Sequence, residues 1–509
     1  MVGVGGRSRG CKTCKKRRIK CDEAKPTCNR CQKAGKNCEG YTQYIEFHDE
    51  TNRIAKKVYS VAKSDVPAFS RNPGTQRENA SPIFITEHPF LPLKINSALD
   101  ENDVFTKYLL ENLFTWRKVT TRHTERWILP ASVQSEDDGP LVYTALRALA
   151  ASFFAKLNRQ AYIMQKGAAF YSRALRLLQS HLLNPELAVG DDVLFAVFCL
   201  SIYELFVFTH SMAWVNHYKG LSILVALRGP YRHRTGLGFV LLPRLRSTIA
   251  ISHILQRKRC FLEAPEWKTI PWLENKHSTN TFKHLFDQLS DCGGIIEDSD
   301  LFRAWSPDVP GKEQFRLTLA RRVHLALEEL FAWRWEWAKQ FPDATYLVSI
   351  SSLDPQEVSF LPSLCPFKTA IWFHNDHRAT EMLMYNTCRL ILQRALDELG
   401  EEMITPIPTP NPSDPLLPGQ GNRHDIAVES CRMSIFHLQR SRLSMGAFML
   451  IFPLNSAMWH LDGDRGGVKS WLLGILGAMA DMHGFEVGTR GYIYTIHQIK
   501  YQAIDAKRI

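Results

Sequence analysis

The chain has 509 residues, 45% of them apolar and 22% charged, the balance of a folded globular protein and not of a disordered or collagen-like one. The uncharged apolar run Val193 to Tyr203 stops at Glu204, far short of the ~20 residues that cross a bilayer. The N-terminus, MVGVGGRSRG followed by cysteines and lysines, has no apolar signal core, so the sequence predicts a soluble intracellular protein with no membrane partner. Net charge is +12, and +10 of it falls within residues 1–38, where twelve Lys and Arg accompany two acids, Asp22 and Glu23. A nearly neutral body behind a strongly basic head suggests a polyanionic partner, nucleic acid before membrane.

The head also holds six of the twelve cysteines. Cys11-x2-Cys14-x6-Cys21 recurs as Cys28-x2-Cys31-x6-Cys38, displaced by seventeen residues at all three positions. In a reducing compartment such thiols are metal ligands before they are disulfides. Zinc thiolate sites are tetrahedral, so two ions need eight ligand places, which six cysteines fill if two thiolates bridge both ions. A single zinc would idle two cysteines and break the repeat. A RING or zinc ribbon would lack the further cysteine six residues after each CxxC. The spacing therefore predicts a centre with two Zn2+ ions held by Cys11, Cys14, Cys21, Cys28, Cys31 and Cys38.

Between the second and third cysteines stands Lys15-Lys16-Arg17-Arg18-Ile19-Lys20. Six residues allow one and a half helical turns, started at the CxxC and ended by Cys21. Five cations on so short a helix repel one another unless they face phosphates, where each contact releases counterions. Arginine can also grip guanine O6 and N7 together in the major groove.

The stretch CKTCKKRRIKCDEAKPTCNRCQKAGKNCEGY closely resembles the fungal Zn2Cys6 binuclear-cluster transcription factors, down to Cys21-Asp22, Pro26 and Gly40-Tyr41. The resemblance implies that Cys11, Cys14, Cys21 and Cys28 hold one zinc and that Cys28, Cys31, Cys38 and Cys11 hold the other. Cys11 and Cys28 are then the bridging pair. It further implies that the first helix presents its C-terminal end to a CGG-like triplet of double-stranded DNA. Arg18 stands where the main base-reading side chain lies, a Lys in many relatives, and Lys15, Arg17 and Lys20 take phosphates.

After the DNA-binding domain over 1–45, residues 46–95 read as a linker, with SRNPGTQRENASP at Ser70–Pro82 and one short helix expected over Glu50–Lys63. Only Ile54, Val58 and Val61 suggest a seam there, too short for a coiled coil, so segment 1–75 is expected to be monomeric. Residues 96–509 form the expected all-α domain. Helices are predicted over Ala98–Trp116, Leu141–Leu157, Ala161–Leu183, Asp192–Phe208 (with Asp192 as its cap), Ala213–Leu227, Arg316–Gln340 and Trp372–Leu399. Gly229-Pro230 stops the fifth. Pro406 to Pro418 packs six prolines into thirteen residues, an exposed loop.

Within the body, His374, Asp376, His377 and Glu381 have ligand-like helical spacing without an HExxH arrangement, and read as solvated. Phe331, Trp333, Trp335 and Trp337 read as core. No P-loop, G-x-S-x-G or G-x-G-x-x-G occurs, so nothing supports an enzyme. His217-x2-Gly220-x7-Arg228-Gly229-Pro230 and Arg259-x-Phe261-Leu262-x2-Pro265-x-Trp267-x3-Pro271-Trp272 resemble the helical fungal-specific transcription factor region. That resemblance implies a nuclear, sequence-specific regulator of RNA polymerase II genes, such as a secondary-metabolite cluster or a nutrient-use pathway. Its partners are then DNA and the transcription machinery or co-regulators.

Overall fold

The computed structural model describes residues 11–22, 24, 27–38, 101–114, 139–207, 209, 213–274, 281–358, 365–402, 422–439, 443–461 and 466–483. The chain divides into two compact units, Met1–Glu50 and Thr51–Ile509. The helix expected over 50–63 with Ile54, Val58 and Val61, and the proline-rich loop over 406–418, lie outside the described residues.

In the first unit two five-residue helices, α1 (Lys12–Lys16) and α2 (Asn29–Lys33), each carry the second cysteine of a CxxC. Cys28 is the N-cap of α2, its sulfur accepting the Cys31 N–H at 3.3 Å. Asp22 accepts two further amide protons, from Ala24 at 3.3 Å and from Arg30 at 3.1 Å, the second being an orphan donor of the α2 first turn.

Among the described residues the second unit begins with α3 (Glu101–Leu109), which runs into a π-helical turn at Leu110–Phe114. Next come α4 (Pro140–Leu157), α5 (Ala161–Leu183), α6 (Asp191–Val207) and α7 (Ala213–Arg228). Helix α4 packs against both α5 and α6, and α6 against α7. Every residue of α6 from Val193 to Phe206 is buried, which explains a run without amphipathic period: it is a central core helix. The helix begins at Asp191, so Asp192 sits inside its first turn and does not cap it.

Glu204, at the end of that run, is fully buried and keeps its carboxylate satisfied. It accepts from Tyr171 Oη at 2.7 Å and from the Thr209 N–H at 3.1 Å, and Tyr171 Oη also meets His217 Nε2 at 2.8 Å. Arg228 closes α7 and donates to the Val189 carbonyl and to Asp191, each at 2.5 Å, pinning the start of α6. Beyond it Gly229-Pro230 ends the helix as expected. His233 is buried against the Gly238 carbonyl at 3.1 Å, and burial pushes its pKa down to about 4, so it sits there neutral.

The remaining layer comprises α8 (Gly236–Leu255), α9 (Thr281–Ala304), α10 (Lys312–Gln340), α11 (Asp376–Leu399), α12 (Arg423–His437), α13 (Leu443–Met458) and α14 (Val468–His483). Helix α9 packs on α8, α10 and α11. Between α10 and α11 an antiparallel pair, β1 (Thr345–Ser349) and β2 (Thr369–Phe373), runs in register from Thr345 opposite Phe373 to Ser349 opposite Thr369. The helix expected over Trp372–Leu399 therefore starts at Asp376. Trp372 and Phe373 belong to the strand, where both rings pack on Phe436, and the Asn375 side chain caps the helix by accepting the Arg378 N–H at 3.0 Å. Among the described residues no helix is long and apolar enough to cross a membrane.

His374, Asp376, His377 and Glu381 do not converge. His374 is exposed ahead of the helix, His377 packs on Phe282, and Glu381 is fully buried. Glu381 is thus not solvated: it accepts from Trp337 Nε1 at 2.8 Å and from Thr281 Oγ1, with Arg378 at 3.0 Å. Phe331 and Trp337 are core, as expected, and Trp333 stacks on Tyr385.

Two adjacent glycines in the middle of α9 are unfavourable by ~1 kcal/mol each relative to alanine. Their neighbours explain them. A Cβ on Gly293 would stand 2.6 Å from the Lys258 carbonyl oxygen, and one on Gly294 would run into Glu263 and Arg259. There Arg259, Glu263, Arg322 and Asp298 close an alternating ring of ion pairs, with Arg259–Asp298 at 2.7 Å, Arg322–Asp298 at 2.9 Å and Arg322–Glu263 at 3.3 Å. Gly293→Ala should accordingly destabilise the body by ~1–3 kcal/mol, since a backbone atom must move. Gly477→Ala in α14, where a Cβ meets nothing within 4 Å, should gain ~0.5–1 kcal/mol. Thermal unfolding of the two variants checks both signs.

Candidate metal centre and nucleic-acid interface

Five of the six head cysteines are buried and Cys38 is partly so, although the described residues of the unit include only one large apolar side chain, Ile19, itself 37% exposed. Sulfur packs on sulfur instead. Cys11 Sγ lies 3.6 Å from Cys28 and 3.7 Å from Cys31, and Cys14 Sγ lies 3.6 Å from Cys28 and 3.8 Å from Cys31. A disulfide would need about 2.05 Å, and all six thiols are free. Two thiolates about 2.3 Å from one tetrahedral zinc stand about 3.8 Å apart, and the pairs Cys11–Cys28, Cys14–Cys28 and Cys11–Cys31, at 3.6, 3.6 and 3.7 Å, are close to that spacing.

Two groups of four sulfurs lie within 4.8 Å of one another: Cys11, Cys14, Cys21 and Cys28, and Cys11, Cys28, Cys31 and Cys38. They share Cys11 and Cys28, the pair that the resemblance makes bridging, and together they offer the eight places that two tetrahedral ions require. Burial pushes the Cys11, Cys14, Cys28 and Cys31 thiols up, the largest cause at each. A bound zinc reverses this, since it deprotonates its cysteine ligands outright.

The seventeen-residue repeat is three-dimensional. The Cys14 N–H donates to Cys11 Sγ and the Cys31 N–H to Cys28 Sγ, both at 3.3 Å. Both helices end alike, the Ile19 N–H reaching the Cys14 carbonyl at 3.1 Å and the Lys36 N–H reaching Cys31 at 3.0 Å. Such a termination needs a left-handed residue just past the helix. In the second half it is Gly35, at φ +61°; in the first it is Arg18, at φ +54°.

The first helix therefore stops at Lys16, and does not continue toward Cys21 as expected. Seven residues of α-helix would carry Cys21 ~10 Å along the axis from Cys14, out of reach of the shared sulfurs. Lys16, Arg17, Arg18, Ile19 and Lys20 are all exposed around this turn. Lys15 lies on α1, and nothing further is described of its side chain. The left-handed position went unread in the sequence, yet the repeat carried the signal: seventeen residues before Gly35 stands Arg18.

Residues 9–46 match the family described as fungal Zn(2)-Cys(6) binuclear cluster domain, and residues 105–253 match that described as fungal specific transcription factor domain. An uncharacterized protein of Emericella nidulans is 28% identical over 168 residues, 33% of this chain and 36% of its own. The aspercryptin biosynthesis cluster-specific transcription regulator of the same organism is 62% identical over 40 residues, 8% of this chain and 7% of its own. White-opaque regulator 2 of Candida albicans is 66% identical over 32 residues, 6% of this chain and 7% of its own. The chain thus matches about a third or less of the length of these relatives. No solved structure matches.

A Zn(2)-Cys(6) domain binds two zinc ions, and metal analysis of the purified chain should return two per molecule. Chelation should unfold residues 1–45 while leaving the helical signal of the body in place. One ion per chain, or a head whose fold survives the chelator, would contradict the shared-sulfur geometry. Along the chain, a match to the Zn(2)-Cys(6) binuclear cluster domain is thus followed by a match to the fungal specific transcription factor domain.

Proposed function

We propose that this protein is a nuclear, sequence-specific DNA-binding transcription factor whose zinc-held head reads a CGG-like triplet beside RNA polymerase II genes. Cys11, Cys14, Cys21, Cys28, Cys31 and Cys38 hold the two ions, Cys11 and Cys28 as bridges. The single observation that supports the reading most is the turn after α1, where exposed cations are displayed at the rim of a sulfur core. Arg18 occupies a backbone position that costs an L-residue about 1 kcal/mol and that the repeat fills with glycine on the other side. An arginine kept at that cost is there for its side chain. On DNA, Arg18 takes guanine O6 and N7, while Lys15, Arg17 and Lys20 take phosphates.

The similarity to a cluster-specific regulator favours a secondary-metabolite cluster as the target, with a nutrient-use pathway as the second reading. The fungal specific transcription factor domain, joined to the zinc domain, supports a regulator and not an enzyme. The body then engages co-regulators or the transcription machinery.

The test separates reading from positioning. A randomised duplex pool selected on the zinc-loaded chain should return a guanine-containing triplet. Arg18→Gly keeps the left-handed backbone and should retain both zinc ions, yet lose ~1–3 kcal/mol on the selected site and relax the base preference at one position. Arg17→Ala and Lys20→Ala should weaken all sequences alike and lower the salt slope by about one each. An unchanged selected site in Arg18→Gly would move base reading to another residue.

A further inference from the structure

The hairpin between α10 and α11 has one strand inside and one outside. β2 lies against α11 and α12, and its Ala370, Ile371 and Phe373 are buried. β1 stands beyond it, with Tyr346 43% and Leu347 52% exposed and Ser349 exposed as well. Among the described residues no further strand flanks β1, so the sheet ends there.

The bonds that flank the strand show which backbone groups this edge leaves open. The His374 N–H donates to the Ala344 carbonyl at 3.1 Å, and the Ile350 N–H to the Lys368 carbonyl at 3.0 Å. Backbone groups alternate sides along a strand, so Ala344, Tyr346, Val348 and Ile350 face β2 while Thr345, Leu347 and Ser349 face outward. The outward groups of Thr345 and Leu347 meet no partner among the described residues, and the Ser349 carbonyl accepts from Ser352 Oγ at 2.8 Å. Open edges are commonly blunted by lysine, proline or a bulge. Thr345–Ser349 has none of these and displays a leucine instead.

We propose that β1 pairs with β1 of a second copy of this chain, antiparallel about a twofold axis at Leu347. The register selects this occupant. Centring two outward edges on Leu347 sets it opposite the partner's Leu347 and sets Thr345 opposite the partner's Ser349, each pair exchanging two N–H···O=C bonds. On the other face Tyr346 stands opposite the partner's Val348, and the twofold axis repeats the pair. Leucine on leucine, threonine on serine and an aromatic ring on a β-branched side chain are cross-strand pairs that stabilise a sheet. No charged residue falls within Thr345–Ser349, so the seam opposes no like charges. An isologous contact needs this self-matching, which a strand of another protein would have to supply independently. Two five-residue strands bury less than the ~1,200 Å² at which standard interfaces begin, so the pairing is weak and rises with concentration.

Sedimentation of the full zinc-loaded chain without DNA tests this apart from the DNA-binding reading. Between about 1 and about 200 µM, monomer should give way to dimer. Leu347→Lys, at an exposed position, should keep the chain monomeric over that range with an unchanged melting temperature. Register is checked by mixing chains carrying Tyr346→Cys with chains carrying Val348→Cys under oxidised glutathione. A disulfide joining those two sites should form in the mixture, since pairs that lack the ladder bonds stand about 4.5 Å apart at Cα, within disulfide reach. Neither variant alone should form it. A monomer throughout would leave the edge to a strand of another protein and overturn the proposal. So would a dimer that Leu347→Lys leaves in place, or a mixture that gives no such link.

Discussion

The shared contact of Cys11 and Cys28 is the constraint on which the first unit rests. With Ile19 the one large apolar side chain among its described residues, the unit has no hydrophobic core to fold around. Helices of five residues are far below the length that persists in water. They stand because the sulfurs at their starts and middles are drawn to one point, and the metal affinity is then the folding free energy. The same constraint sets the shape of the basic turn. Cys21 must return to the sulfurs that Cys11 and Cys14 already approach, so the backbone has to reverse at Arg17-Arg18, and a left-handed residue is the compact way to do it. Display of cations and closure of the metal site are two outcomes of one short loop.

How far the sequence discloses this depends on whether the information is local. Cysteine spacing is local, and the displacement by seventeen gives the two sulfur groups with the shared pair in the structure. Helix bodies are local as well: Ala161–Leu183 is recovered residue for residue, and Gly229-Pro230 ends α7 as read. Ends that depend on partners are not. The strand Thr369–Phe373 carries apolar residues that continue the pattern of α11, and only pairing with Thr345–Ser349 separates the two. Glu381 looks like a solvated helical acid until Trp337 and Thr281 are brought to it from two other helices. Gly293-Gly294 reads as a weak point in a helix, and becomes intelligible only beside the 258–263 segment.

The body is organised by buried polar groups as much as by its apolar core. Glu204, Arg228, Arg246 and Glu381 are each nearly or wholly hidden, and each is met by a donor or acceptor from a different element. Such groups add little net stability, because desolvation offsets most of the attraction. What they fix is register. A helix sliding by one turn past Glu204 would leave a carboxylate unmet in the core, a loss of several kcal/mol, whereas a slid Leu finds another apolar neighbour.

Charge is divided on the same principle. The body's cations are matched largely by its own acids, as in the ring of Arg259, Glu263, Arg322 and Asp298 and in the pairs Arg257–Asp300 and Lys268–Asp291. A guanidinium already held by two carboxylates has little attraction left for a phosphate. Most of the net charge, +10 of +12, lies in residues 1–38, so attraction to a polyanion, and its screening by salt, are chiefly properties of that segment. Removing the metal then dissolves the polyanion surface without touching the core of the body.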